Sequence, residues 1–140
     1  MSADFIDTNI FVYLFDDVNV HKRDVAEKLV RSALDSGNAA ISYQVVQETL
    51  NVITRKLKPP MSAPDASRFM QALLQPLWQV MPTQELFNRG LQLQVNFSLS
   101  FYDAMIVAAA QEAGCKRLFS EDMQSGQVFD QVKIVNPFNA

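Results

Sequence analysis

Apolar and polar positions follow two periods along this chain. Residues 3–7 (Ala3-Asp4-Phe5-Ile6-Asp7) form a short, partly apolar run that ends at Thr8-Asn9, the pattern of a buried strand. From His21 to Ser36, Ala26, Leu29, Val30 and Ala33 recur at helical spacing, and Gly37 supplies a C-terminal stop. Residues 39–43 predict a second strand. Val46, Thr49, Leu50, Ile53 and Leu57 then repeat the helical spacing until Pro59. Ser62-x-x-Asp65, with Pro64 in the first turn, starts another helix, whose apolar stripe is Phe69/Met70, Leu73, Leu74 and Leu77. Residues 78–81 predict a third strand. Thr83 caps a helix to about Phe97, and Ser100 opens one more through Ala113, ended by Gly114. Residues 116–119 and 132–135 are the last strand candidates. Strands alternating with helices of this length imply a parallel sheet covered by helices. The expected fold is a three-layer α/β/α sandwich with a mostly parallel sheet of four or five strands, in one domain spanning residues 1–140.

In open parallel sheets, ligands bind beyond the carboxyl ends of the strands. Asp7 closes the first strand. Glu48 lies one or two turns into the helix after the second. Asp103 sits in the first turn of the helix leading back to the fourth strand, and Asp122 follows that strand within about three residues. Each acid has an ordinary explanation. Asp7 and Asp122 suit turns, Glu48 suits a solvated helix face, and Ser100-x-x-Asp103 is close to a capping box. Glu121, beside Asp122, is an alternative fourth acid. The helix after Asp103 is apolar all round through Ala110, however, and a carboxylate at the mouth of a buried helix is costly unless paired or metal-bound.

Four acids converging on one edge repel, and their pKa values rise without compensation. A divalent cation is the simplest compensation. The chain has one His (His21) and one Cys (Cys115), which excludes an all-His/Cys zinc site. An all-oxygen donor set selects Mg²⁺, with Mn²⁺ as a possible substitute. Such a cluster suits phosphodiester cleavage.

Composition then changes its meaning. With 12 Lys+Arg against 15 Asp+Glu the net charge is −3, which argues against a nucleic-acid partner. Setting the four candidate ligands aside leaves fewer acids than bases, so the excess is the proposed metal site itself. The chain is 49% hydrophobic, enough for a core. The lone cysteine asks for no oxidising compartment, and neither a targeting nor a membrane segment is visible, so a soluble, cytoplasmic protein is expected. His21 reads as a surface residue and Cys115 as a small buried hydrophobe. The densest basic cluster, Arg55-Lys56-x-Lys58, lies about two turns beyond Glu48 and is expected to point away from the site. The Phe69-to-Leu77 stripe reads as core or dimer surface. Trp78 and Phe101-Tyr102 are core candidates, with Tyr102 also able to touch RNA beside Asp103.

Phe5-Ile6-Asp7-Thr8-Asn9 resembles the opening strand of the PIN-domain nucleases, whose "DTN" carries the first catalytic acid. Residues 45–52 (VVQETLNV) are similar to the family's second motif, built around a helical Glu. Ser100-Phe101-Tyr102-Asp103-Ala104 resembles the third, and Leu118-Phe119-Ser120-Glu121-Asp122-Met123-Gln124 the fourth. The ending, Val132-Lys133-Ile134-Val135-Asn136-Pro137-Phe138, is also similar to many bacterial members. The resemblance covers nearly the whole chain, and the length resembles VapC-type toxins of bacterial toxin–antitoxin pairs. It implies that Asp7, Glu48, Asp103 and Asp122 are the metal-binding and catalytic acids of a Mg²⁺-dependent endoribonuclease. It further implies structured RNA such as tRNA or rRNA as substrate, an inhibiting antitoxin protein and a homodimer. Thr8, Asn9 and Ser120 match positions that orient ligands or waters.

Two readings compete with a toxin: a non-catalytic PIN-like interaction module, and a housekeeping PIN nuclease without an antitoxin. A phosphorylated receiver domain would need an Asp closing the third strand, where Met81-Pro82-Thr83 stands. A haloacid-dehalogenase-type phosphatase would need Asp-x-Asp, and Asp7-Thr8-Asn9 has one carboxylate.

Overall fold

The computed structural model describes residues 2–139. Strand β1 (Asp4–Ile6) leads into a short helix α1 (Thr8–Val12), which tightens into a 3₁₀ turn at Tyr13–Phe15. There follow α2 (Val20–Ser36), β2 (Ala39–Ser42), α3 (Tyr43–Arg55), α4 (Ala63–Phe69), β3 (Trp78–Val80), α5 (Gln84–Phe97) and α6 (Phe101–Glu112). The chain closes with β4 (Arg117–Phe119), β5 (Val128–Phe129) and β6 (Val132–Val135). The helix boundaries follow their caps. Hydroxyls of Ser42, Ser62, Thr83 and Ser100 accept from backbone N–H groups one turn on, and Gly37 ends α2 at φ 66°, a conformation free of strain only for glycine.

The architecture is the expected three-layer α/β/α sandwich, with strands in the order β3-β2-β1-β4-β6-β5. Every neighbouring pair is parallel except β5–β6. The chain runs outward from β1 through β2 to β3, then crosses back to β4 on the other side of β1. The strand order therefore reverses between β1 and β4, which is where such sheets open a ligand crevice. Phe5, Ile6, Ile41, Leu118 and Ile134 are fully buried along the sheet, and residues 104–110 of α6 are buried on all sides, as their uniformly apolar pattern predicts. Cys115 is buried, and His21 is exposed. Among the described residues no single helix is long and apolar enough to cross a membrane.

Three sequence expectations need correction. The sheet has six strands, not four or five. The added strand is β5, two residues long and turned back on β6 through Asp130 at φ 56°, too short to show any period. The single helix expected from Ser62 to Leu77 is α-helical only to Phe69; it widens into a π turn at Met70–Leu74 and tightens to 3₁₀ at Gln75–Leu77. Pro76 has no N–H to continue the ladder, and its ring crowds the preceding turn. Asp7 stands one residue past β1, and Thr8-Asn9 begin α1 in place of a turn, because Ile10 and Phe11 are fully buried and draw the chain into the core.

Helices α5 and α6 approach closely at Gly90, where an added Cβ would collide with Met105 Sδ. Gly90→Val is therefore expected to lower stability by about 1–3 kcal/mol in urea unfolding, overpacking outweighing the helix propensity regained.

Candidate active site

Asp7 is fixed by the end of the central strand. Its N–H continues the β1–β4 pairing by donating to the Phe119 carbonyl at 3.0 Å. Its carboxylate then caps α1, accepting from the Thr8 N–H at 2.7 Å and from the Ser120 hydroxyl at 2.8 Å. The residue is only 7% exposed. Burial pushes its carboxyl up to about 6; the hydrogen bonds from Ser120 and Thr8 work against that rise, and the charges of Glu48 and Asp122 add to it.

The other acids are held from the same segments. Glu48, half-buried on α3, accepts from the Thr8 hydroxyl at 2.7 Å and from the Gln44 amide at 3.4 Å. That amide also donates to the Tyr102 carbonyl at 3.2 Å, tying α3 to the start of α6. Asp122 is exposed and accepts from the Asn9 amide at 3.0 Å. Ser100 caps the Asp103 N–H at 3.2 Å. Among the described residues nothing donates to the Asp103 carboxylate, nor does it return a bond to Ser100, so half of the capping box is missing. Neighbouring Glu121 accepts from the Tyr13 hydroxyl and pairs with Lys22. Burial alone would raise its carboxyl, but the hydrogen bonds from Lys22 and Tyr13 outweigh it and hold the group below its ordinary range.

Asp7, Glu48, Asp103 and Asp122 thus line one open cavity of about 630 Å³ at the sheet's reversal point, with Thr8 and Asn9 in its wall and Ser120 behind Asp7. Each of the three polar neighbours picked from the sequence donates to a different candidate ligand: Thr8 to Glu48, Asn9 to Asp122 and Ser120 to Asp7. Among the described residues, a larger groove of about 730 Å³, between α5, α6 and the β5–β6 hairpin, has Asp130 as its one lining acid.

The residues fit a hard divalent ion. The donors are all oxygen. The cavity is acidic, with Asp16 and Glu121 also in its wall and Lys56 the lining base. Among the described residues the Asn9 side-chain oxygen is buried without a partner, an acceptor left over beside Asp122. Among the described residues no three Asp, Glu, His or Cys side chains are disposed to grip one ion together.

Sequence reasoning missed part of the wall. Gln44 and Asn51 flank Glu48 at i−4 and i+3, a polar stripe that the apolar spacing of Val46, Thr49, Leu50 and Ile53 does not bring out. Lys56, expected to point away, lines the cavity. It is two turns beyond Glu48 but on the same face of α3, and the cavity runs along that face. Tyr102, expected among core candidates, is 66% exposed at the mouth; Phe101 and Trp78 do pack against the core.

The PIN domain family model matches residues 5–133. No curated protein matches the chain by sequence. Among solved structures it is similar to a toxin–antitoxin complex from Klebsiella pneumoniae, at 24% identity and a TM-score of 0.67, covering 97% of this chain and 98% of that one. It is similar to VapC20 of Mycobacterium tuberculosis, described as a sarcin-ricin loop cleaving toxin, at 20% identity and 0.62, covering 86% and 90%. It is also similar to FitAcB of Neisseria gonorrhoeae, at 13% identity and 0.62, covering 98% and 99%. At these identities the likeness to solved structures is one of fold. The family match spans most of the chain, from the strand that delivers Asp7 to the strand beside Ser120, and the chain belongs to the PIN domain family.

Proposed function

We propose that this chain is a Mg²⁺-dependent endoribonuclease, acting in the cytoplasm as one nuclease domain and serving as the toxin of a toxin–antitoxin pair. The observation that carries this reading is the set of four carboxylates, from four distant stretches of chain, around one cavity at the reversal point of the sheet. Its substrate is structured RNA such as tRNA or rRNA, its inhibitor an antitoxin protein, and its working form a homodimer. The fold shared with the Klebsiella toxin–antitoxin complex and with VapC20 supports the toxin role.

Asp7, Glu48 and Asp103 would hold the principal ion, with Asp122 completing the set or helping to bind a second ion. The chemistry a divalent ion supplies when bound there is water made nucleophilic near neutral pH and positive charge against the phosphate. The protein's residues do the rest. Thr8, Asn9 and Ser120 hold the carboxylates in place. Lys56, exposed on the cavity wall, meets the RNA backbone, and the exposed Tyr102 ring offers a face for a base. Lys56→Ala is expected to weaken RNA binding and to reduce the log–log salt slope by about 0.7, one single-strand phosphate contact, in a filter-binding titration.

One observation favours a second reading, a non-catalytic interaction module: among the described residues no trio of side chains is disposed to share an ion. Expression in a bacterial host separates the readings. The toxin reading expects growth arrest with cut cellular RNA, both absent for Asp103→Asn. Normal growth overturns the toxin role. Arrest with intact RNA, equal in the variant, overturns the nuclease.

A further inference from the structure

We propose that Lys22 is a positioning residue: together with Tyr13 it takes up both oxygens of Glu121, so that of two adjacent acids only Asp122 is presented to an ion in the cavity. The inference rests on the nuclease reading above.

Glu121 and Asp122 follow β4 side by side, and both reach the cavity wall. Their engagements differ. One Glu121 oxygen accepts from the Tyr13 hydroxyl and the other from the Lys22 ammonium, which also donates to the Tyr13 oxygen at 3.3 Å. The three groups form a closed triangle in which the Glu121 charge is matched by a cation. Side-chain exposures of 29% for Lys22 and 22% for Glu121 keep the pair out of full solvent screening. Asp122, by contrast, accepts one neutral hydrogen bond, from Asn9, and is otherwise open.

Lys22 is itself held from three directions. Asn19 caps α2 by accepting from the Lys22 N–H at 3.1 Å, which sets where that side chain leaves the helix. Its ammonium lies 5.1 Å from the Tyr13 ring centre and 5.5 Å from that of Phe138. The two rings meet edge-on at 4.9 Å, so the end of the chain closes over the lysine. Without the ammonium, Glu121 would carry an unmatched charge next to Asp122, free to turn into the cavity as an additional oxygen donor.

The test uses the full chain, Mn²⁺ as probe and two readouts: Mn²⁺ affinity by electron paramagnetic resonance, and RNA cleavage. Lys22→Met is expected to tighten Mn²⁺ binding roughly tenfold, because it leaves an unmatched carboxylate beside the ion, while slowing cleavage as the loss of an outer partner does. Glu121→Gln alone lowers Mn²⁺ affinity far less than Asp122→Asn does, and only through the Lys22 charge it leaves unmatched. The double variant Lys22→Met/Glu121→Gln returns the affinity to that of the unmodified chain, and Lys22→Arg retains it. Binding weakened as far in Glu121→Gln as in Asp122→Asn would make Glu121 a ligand and overturn the proposal. So would unchanged affinity in Lys22→Met, or a double variant no nearer to the unmodified chain than Lys22→Met, since a merely structural lysine is not rescued by removing its partner. An unmodified chain that binds no Mn²⁺ overturns the nuclease reading and this assignment with it.

Discussion

Asp7→Asn is expected to abolish RNA cleavage and, at the same time, to make the metal-free protein more stable. The loss follows from position. Asp7 is the buried carboxylate at the reversal point, hydrogen-bonded to Ser120 and Thr8 and charge-coupled to Glu48 and Asp122. Its removal should reduce activity by roughly 100-fold or more, beyond the 10–100-fold typical of an outer partner. The gain in stability follows from burial. A carboxyl pushed up to about 6 is ionised in the folded protein at pH 7.5 only against a penalty of about 3 kcal/mol. An amide of the same shape removes the charge. Its oxygen can accept from the Thr8 N–H, and its nitrogen can donate to the Ser120 hydroxyl, which both donates and accepts. Urea unfolding in EDTA at pH 7.5 is expected to show Asp7→Asn more stable by about 1–3 kcal/mol. A less stable variant would mean that the carboxylate serves chiefly as the cap of α1. Stability given up where a site needs it is a common trade.

The same group ties stability and ion binding to pH in opposite directions. The folded-state pKa of Asp7, about 6, lies above its ordinary 3.8, so the folded chain holds this proton more tightly than the unfolded chain. The contribution of Asp7 to metal-free stability is therefore most favourable below pH 3.8 and is lost as pH rises through 6. Ion binding requires the deprotonated carboxylate and expels the proton. Mn²⁺ affinity is thus expected to fall by about tenfold per unit as pH drops below 6 and to level off above it. The rise in thermal midpoint on adding Mg²⁺ should be larger at pH 7.5 than at pH 5. Calorimetric titration with Mn²⁺ across that range checks both; an affinity flat with pH would remove Asp7 from the ligand set.

The alternation of strands and helices was legible because long elements repeat their periods. β5 was not, since two residues carry none, and the π segment before Pro76 keeps the same apolar stripe as an α-helix. The four candidate acids were legible for a topological reason: the ends of parallel strands and the starts of returning helices face one edge. Their supports, Thr8, Asn9 and Ser120, were singled out by the family resemblance alone, and which acid each one holds was not legible. Thr8 bonds Glu48 across 40 residues, and Asn9 bonds Asp122 across 113. Such pairings depend on strand order, which no local pattern states. Lys56 was misplaced because distance along α3 was considered without its face. Lys22 lay in a polar stretch beside His21 and Arg23, with no sign that Glu121 would come to meet it.

Incubating the purified chain with a structured RNA, in Mg²⁺ and in EDTA, bears most directly on whether these carboxylates form a metal-dependent nuclease site. Cleavage at discrete positions is expected in Mg²⁺, lost in EDTA, restored by Mg²⁺ or Mn²⁺, and absent in Asp7→Asn. RNA decay that is the same in EDTA and in Asp7→Asn, from a chain that binds neither ion, would contradict it.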